Sequence, residues 1–386
     1  MSFSSIDKEY VANTYNRFPV EVVSGKGARY TDINGKEYID MGSGIGVTAF
    51  GANDDEWKSA VIEQINKIQH TSNLYYTEPC ALLAKALCEK TGMKKVFFSN
   101  SGAEANECAI KVARKYAAEQ KGEEYYNIVT LENSFHGRTL TTLAATGQEH
   151  YHELFKPLTQ GFIHTPANDL EALKTVVDEN KIAAVMIECV QGEGGVVALN
   201  KEFVEGLYKL SAEKDFLIIV DEVQTGNGRT GKMYGYMNFD IKPDIVTTAK
   251  GLGGGLPIGA ALLSEKVQGV LGFGDHGSTY GGNPVCCAAA LSVVNRLTDD
   301  FLLEVKEKSE YIFRELSLAE GVEQVSGLGL MIGIKSKKSA AEVVAIAREK
   351  GVLCLTAKDK VRLLPPLNIS FEDLKIAIDV IKEALV

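Results

Sequence analysis

The 386-residue chain has no Cys-x-x-Cys pair, and its seven cysteines are odd in number and scattered. Several sit inside apolar segments, as Cys108, Cys189, Cys286 and Cys287 do. That excludes a zinc site of paired thiolates and favours buried thiols in a reducing compartment over a disulfide framework. No metal site is expected. Basic excess is also missing: 51 Asp and Glu stand against 41 Lys and Arg, a net charge of -10, which argues against a nucleic-acid binder and suits small-molecule substrates. No apolar run approaches membrane-spanning length, and the N-terminal MSFSSIDKEY holds no apolar signal core, so no membrane partner and a cytoplasmic location are expected. Internal repeats and low-complexity segments are absent. What remains is a globular chain long enough for two domains.

The stretch Asp244 to Ala260, DIVTTAKGLGGGLPIGA, stands out. A β-branched run leads into Lys250, and glycines follow. A lysine at the end of a buried strand has its ammonium disfavoured by desolvation, and a depressed pKa is what an amine nucleophile needs to form a Schiff base. The same residues also read as a surface lysine before a flexible loop, so the decision falls to the rest of the chain.

Asn34-Gly35 marks a hairpin. From Asp54 the apolar period turns helical (DDEWKSAVIEQINKIQ, then EPCALLAKALCEKTG). A strand from Val96 to Ser99 meets Ser101, Gly102 and Ala103 and enters a helix. Such a turn offers backbone N–H groups to a phosphate, although Ser-Gly before a helix is more often only a cap. A further strand ends near Phe135, His136, Gly137 and Arg138, where a ring face and a carboxylate fork stand side by side; Phe135 reads equally as core. Two more apolar strands end in Glu188, Gln191 and Glu193, and in Asp221, Glu222, Val223 and Gln224. Most strands are continuous apolar runs alternating with helices, the pattern of a parallel sheet covered on both faces. Polar residues gather at the strands' C-terminal ends, where open α/β sheets bind ligands. Ser101, Phe135, Arg138, Glu188, Asp221 and Lys250 are therefore expected in one cleft. A Schiff-base lysine, a carboxylate for a ring nitrogen and a phosphate cradle together meet the needs of pyridoxal 5'-phosphate, PLP.

The motifs NSGAEAN, NSFHGRTL, QGEGG, DEVQTGNGRTG, AKGLGGGLPIGA, STYGGNP and RLLPP, in this order, closely resemble those of the class III (ω-amino) aminotransferases of PLP fold type I, over nearly the whole chain. The resemblance implies an α/β fold: a large domain over residues 54–285 with a mostly parallel seven-stranded sheet flanked by helices, and a small α+β domain over 286–386 that starts with a long connecting helix. Residues 1–53 would pack with the small domain. It also implies a homodimer with shared active sites and ping-pong transamination of small amino-acid substrates, from an ω-amine donor to 2-oxoglutarate. N2-Acetylornithine is the expected donor; ornithine, succinylornithine, succinyldiaminopimelate and 4-aminobutyrate are alternatives, and a PLP aminomutase a more distant one.

By motif, Lys250 is the Schiff-base lysine and proton shuttle, and Asp221 pairs with the pyridinium. Gln224 sits near the ring oxygen, Gly102 and Ala103 hold the phosphate beside Ser101, and Phe135 stacks on the ring. His136, Glu188 and Val223 complete the cofactor set. Ser278 and Thr279 would come from the partner subunit, Thr279 to the phosphate and Ser278 to the substrate. Arg138 would hold the donor's α-carboxylate. Glu193 and Arg362 resemble a pair that switches between substrates with one and two carboxylates, and Tyr15, with Arg17, would line the mouth. Two departures stand out: FGANDDEW replaces the family's usual Gly-His-x-x-Pro-like run, and Cys189 stands where proline is common.

Overall fold

The structure, a computed structural model, describes residues 3–386. Its centre is a seven-stranded sheet in the order Lys95–Ser99, Gly259–Leu263, Ile245–Thr248, Leu217–Asp221, Ile182–Ile187, Asn127–Leu131, Phe162–Thr165. Neighbours from Ile245–Thr248 to Phe162–Thr165 run parallel. Gly259–Leu263 runs antiparallel to both its neighbours, so the sheet is mostly parallel, as its runs of Val, Ile and Leu predict. The apolar half of GLPIGAALL thus forms a strand, which its glycines and proline had hidden.

Strand alternation divides the core into two layers. Ala184, Met186, Leu217, Ile219 and Ile245 face the helix Gly102–Gln120, whose Cys108, Ala109, Val112 and Ala113 are small enough to let it lie close. Val185, Ile187, Ile218, Val220 and Val246 face the opposite layer with Phe203, Val204 and Leu207 of the helix Lys201–Lys214. With both faces covered, Ile182–Ile187 and Leu217–Asp221 are buried along their whole length.

The ends of the chain build two smaller sheets. Val22–Lys26, Arg29–Asp32 and Glu37–Asp40 form a meander whose last strand pairs in parallel with Val352–Leu353. Val322–Leu328, Met331–Ser336, Lys360–Leu363 and Leu355–Ala357 form an antiparallel sheet, covered by the helices Asp299–Ser317, Ala340–Glu349 and Phe371–Leu385. A buried arginine ties this sheet to the large one. Arg229 donates through Nη1 to the carbonyls of Leu330 (3.1 Å) and Pro365 (2.6 Å), and its own carbonyl accepts from Leu330 N–H at 2.8 Å. Among the described residues no helix is long and apolar enough to cross a membrane.

Ile219 is fully buried in the central strand. Ile219→Ala removes its contacts with the long helix and leaves a cavity, and is expected to cost about 2–5 kcal/mol of stability. A urea titration followed by circular dichroism measures the loss.

Candidate active site

The C-terminal edge of the large sheet gathers the side chains that the sequence places at strand ends. Asp221 closes its strand and is buried. Its Oδ2 accepts from His136 Nδ1 and from Asn106 Nδ2, both at 2.8 Å, and its Oδ1 accepts from Val223 N–H at 3.0 Å. Asn106 spends its other amide hydrogen on the carbonyl of His136, also at 2.8 Å. The carboxylate therefore fixes the helix Gly102–Gln120, the loop through His136 and the turn after its own strand at one point. Burial pulls the His136 imidazolium down, but the bond and charge of Asp221 outweigh it and the pKa is raised.

Glu188 lies beside this group. Its Oε2 accepts from Phe135 N–H at 3.0 Å. Burial pushes its carboxyl up to about 7, opposed by His136 and reinforced by Asp221. Glu222 is also fully buried but serves the backbone: it accepts from Gly235 N–H at 2.8 Å, Tyr236 N–H at 2.7 Å and the Thr225 hydroxyl at 2.6 Å. Cys189 Sγ stands 3.8 Å from its Oε1, so the departure from proline adds a thiol to a structural turn.

Lys250 follows Ile245–Thr248 and has φ +45°, a left-handed conformation that a non-glycine residue holds only when its surroundings impose it. Burial depresses its ammonium pKa. Glu193 works against that shift, Arg362 adds to it, and Asp221 and Glu188 oppose it. Among the described residues no hydrogen bond or ion pair occupies its amine. FGANDDEW helps to hold the loop that follows. Asp54 caps the helix Asp55–Lys67 through Trp57 N–H (2.9 Å) and accepts from Arg296 (2.8 Å), while the Trp57 indole donates to Gly253 O at 3.0 Å. This segment supports the glycine loop.

Ser101 is the N-cap of the helix Gly102–Gln120, its hydroxyl accepting from Glu104 N–H at 3.2 Å. Gly102 and Ala103 open the first turn, where backbone N–H groups have no intrahelical acceptor. A Cβ on Gly102 would stand 2.6 Å from Val223 Cγ1, so glycine is required for this turn to lie against the Asp221 strand.

Arg362 is buried on Lys360–Leu363. Its Nη1 donates to Glu193 Oε1 at 2.5 Å and to Gln224 Oε1 at 3.3 Å. Gln224 Nε2 in turn donates to Glu193 at 3.4 Å. Burial raises the Glu193 carboxyl pKa, but Arg362 overcomes this and the net direction is downward. Arg138 is exposed, with its guanidinium 5.3 Å from the half-buried Phe135 ring. The Ser278 hydroxyl accepts from Asn100 Nδ2 at 3.2 Å and from Gly281 N–H at 2.9 Å, while Thr279 is exposed. Tyr15 stays apart within this chain: it lines a cavity of about 860 Å3 with Arg17 and other residues between Phe3 and Asn34. Asn106 is one residue that sequence reading missed. Its signal is an amide four positions beyond Gly102, on the face of the helix whose neighbours are alanine and cysteine.

The class-III aminotransferase family model matches residues 10–385. The chain belongs to the class III aminotransferases. It is 51% identical to the acetylornithine aminotransferase of Haemophilus ducreyi over 98% of its own length and 97% of that protein. It is 45% identical to that of Methanocaldococcus jannaschii, over 98% and 96%. Among solved structures, an ornithine aminotransferase from Toxoplasma gondii, described with partial occupancy of PLP at its active site, superposes with a TM-score of 0.94 at 30% identity, covering 99% of this chain and 93% of that one. The N-acetylornithine aminotransferase of Stenotrophomonas maltophilia superposes with a TM-score of 0.85 at 33% identity, over 98% and 97%. The chain is an aminotransferase with the α/β fold of these enzymes.

The raised pKa of Glu188 has a sign. The folded state binds this proton more tightly than the unfolded chain, so the stability it contributes is full below the ordinary carboxylate pKa of about 4.3 and is lost as pH rises through about 7. Glu188→Gln is expected to flatten the fall in stability between those values. Denaturation midpoints of both proteins across that window check it.

Proposed function

We propose that this aminotransferase uses PLP to move the δ-amine of N2-acetyl-L-ornithine to 2-oxoglutarate. The products are N-acetyl-L-glutamate 5-semialdehyde and L-glutamate, a step of arginine biosynthesis in the cytoplasm. One observation carries the reading above the others: a buried arginine, Arg362, is neutralised by Glu193 within electrostatic reach of Lys250. The names of the relatives support the choice of donor.

The residues present suit PLP. An unoccupied, desolvated amine at Lys250, an acceptor at Asp221 and a first helical turn that admits only glycine at its start match the group's aldehyde, ring nitrogen and phosphate. Ser101, Gly102 and Ala103 would hold the phosphate, with Thr279 of a second copy of the chain. Phe135 and Val223 would flank the ring, with His136 and Glu188 beside it. When bound, PLP supplies an aldehyde for an amine and a ring that takes up the electron pair left as a proton departs from the substrate carbon. Asp221, held by His136 and Asn106, would pair with the ring nitrogen. Lys250 Nζ, as a free amine, would take the proton from the reacting carbon and later return one; burial, which depresses its pKa, favours that free form.

The two substrates differ around the reacting carbon. Glutamate carries a carboxylate on it, whereas acetylornithine carries its only carboxylate three carbons away. Arg362 suits the first, and Glu193 neutralises it when that carboxylate is absent. Arg138 suits the remote carboxylate. On this reading residues 54–285 carry the cofactor, and 1–53 with 286–386 bring Arg362. A homodimer accounts for the exposed Leu74, Tyr75, Tyr76, Phe273 and Tyr280 and for Thr279, and would bring the partner's Tyr15 to the mouth.

The test follows the visible absorption of the bound cofactor while N-acetylornithine, ornithine, succinylornithine or 4-aminobutyrate is added without oxo acid. N-Acetylornithine is expected to discharge the band fastest and 2-oxoglutarate to restore it; a faster amine of another kind overturns the substrate assignment. Lys250→Ala is expected to abolish turnover while the circular-dichroism spectrum stays native. Glu193→Gln leaves Arg362 without its counter-charge. It is expected to slow the acetylornithine half-reaction about tenfold relative to the glutamate half-reaction, the ratio that a single lost charged contact of about 1.4 kcal/mol gives.

A further inference from the structure

The NSFHGRTL segment leaves Arg138 in an unusual state. Its side chain is exposed, yet no carboxylate partners it among the described residues. The guanidinium lies instead against aromatic rings, with its central carbon 4.1 Å from the Tyr151 ring centroid and 5.3 Å from that of Phe135. The two rings meet edge to face, 6.0 Å apart at 74°, and make a corner for the cation. Among the described residues no hydrogen bond takes up its N–H groups, so the fork that recognises a carboxylate is left unspent.

Tyr151 is held firmly enough for this task. It ends the 3-10 turn Glu149–Tyr151, its N–H donating to Gln148 O at 3.0 Å. Gln148 is buried and donates through Nε2 to the carbonyl of Ser134, next to Phe135, at 3.0 Å. His152, buried on the other side, places Nε2 2.8 Å from both Leu143 O and Thr146 O, so that nitrogen carries the hydrogen and fastens the turn to the helix that follows Arg138. The Tyr151 hydroxyl has no hydrogen-bond partner among the described residues, so the ring and not the phenol does the holding.

We propose that Tyr151 is a positioning residue of the substrate site: its ring holds the Arg138 guanidinium flat, with the N–H edge presented to the substrate carboxylate remote from the reacting carbon. This rests on the role of Arg138 given above. A free arginine loses side-chain entropy when it closes on a carboxylate, and an arginine already stacked has lost most of it before the substrate arrives. Tyr151 thus acts on binding, and the chemical step is left alone.

The experiment compares cofactor-loaded wild type, Tyr151→Ala, Tyr151→Phe and Arg138→Ala in the amine half-reaction, with N-acetylornithine and with N-acetyl-1,4-diaminobutane, which is the same donor without its carboxylate. Tyr151→Ala is expected to raise the half-saturating concentration of N-acetylornithine about two- to fivefold, the scale of a lost cation–π contact at an exposed site, with the limiting rate little changed. Tyr151→Phe restores wild-type behaviour, and the donor without a carboxylate responds to neither Tyr151→Ala nor Arg138→Ala. An unchanged half-saturation in Tyr151→Ala, alongside a raised one in Arg138→Ala, overturns the proposal and leaves the reading of Arg138 standing. Equal losses with both donors in Tyr151→Ala also overturn it, since they mark a general disturbance. If Arg138→Ala itself has no effect, the reading of Arg138 falls and the proposal falls with it.

Discussion

The carboxylate of Asp221 is the point on which the rest of the site depends. A buried carboxylate without donors costs several kcal/mol, and this one receives three, from His136, Asn106 and Val223. Each donor belongs to a different piece of chain. Satisfying the charge therefore sets the depth of the helix Gly102–Gln120, the path of the loop through Phe135 and the turn that leads to Gln224. The turn at Gly102, the Phe135 loop and the turn before Gln224 are not placed independently; they are three consequences of one desolvated oxygen pair. The requirement for glycine at position 102 follows as well, because a helix drawn in by Asn106 brings its first residue against Val223.

Around that centre the charges are graded. Glu222 is buried deepest and is consumed by backbone N–H groups and a hydroxyl. Among the described residues Glu188 accepts one hydrogen bond, from Phe135 N–H, and burial pushes its carboxyl towards neutrality. Glu193 lies nearer the opening, where Arg362 keeps it ionised. The depressed pKa of Lys250 is the sum of this arrangement: burial and Arg362 pull it down while three carboxylates at longer range limit the fall. A neutral Glu188 weakens the upward pull on that amine, so the low dielectric that depresses the lysine directly also depresses it through its neighbour.

Much of this was legible in the sequence, and the reasons separate by range. The parallel sheet could be read because a strand buried on both faces must be apolar along its run, as Ile182–Ile187 is throughout and Leu217–Asp221 is up to its closing Asp221. Lys250, Asp221 and the Ser101 turn could be read because strand ends and helix starts are where polar groups interrupt such runs. Gly259–Leu263 was obscured by its glycine and alanine, which belong there because Gly259 passes against Ser101 O, with no room for a Cβ. Asn106 and Tyr151 lie beyond the reach of local pattern. One is a single amide on an alanine-rich helix face, the other a tyrosine in a polar loop, and only the folded chain brings them to Asp221 and Arg138. Tyr15 lies among residues 3–34 within this chain, so its place at the mouth stays part of the dimer proposal.

Arg229 shows how the two ends of the problem meet. It follows Asp221 by eight positions, inside DEVQTGNGRTG, and its guanidinium is buried against backbone carbonyls. Burial lowers its pKa to about 9, opposed by Asp40; two carbonyls and a distant acid are thin compensation for a desolvated cation. What it accomplishes is connection. Leu330 precedes Met331–Ser336, the strand that pairs Gly333 with Arg362, and Pro365 lies two residues beyond the end of Lys360–Leu363. The residue that holds both carbonyls therefore fixes the strand of Arg362 relative to the strand of Asp221. A switch between Arg362 and Glu193 works only if the guanidinium can change partners while its backbone stays in place. The cost of burying Arg229 is thus best understood as the cost of fixing the strand that carries Arg362.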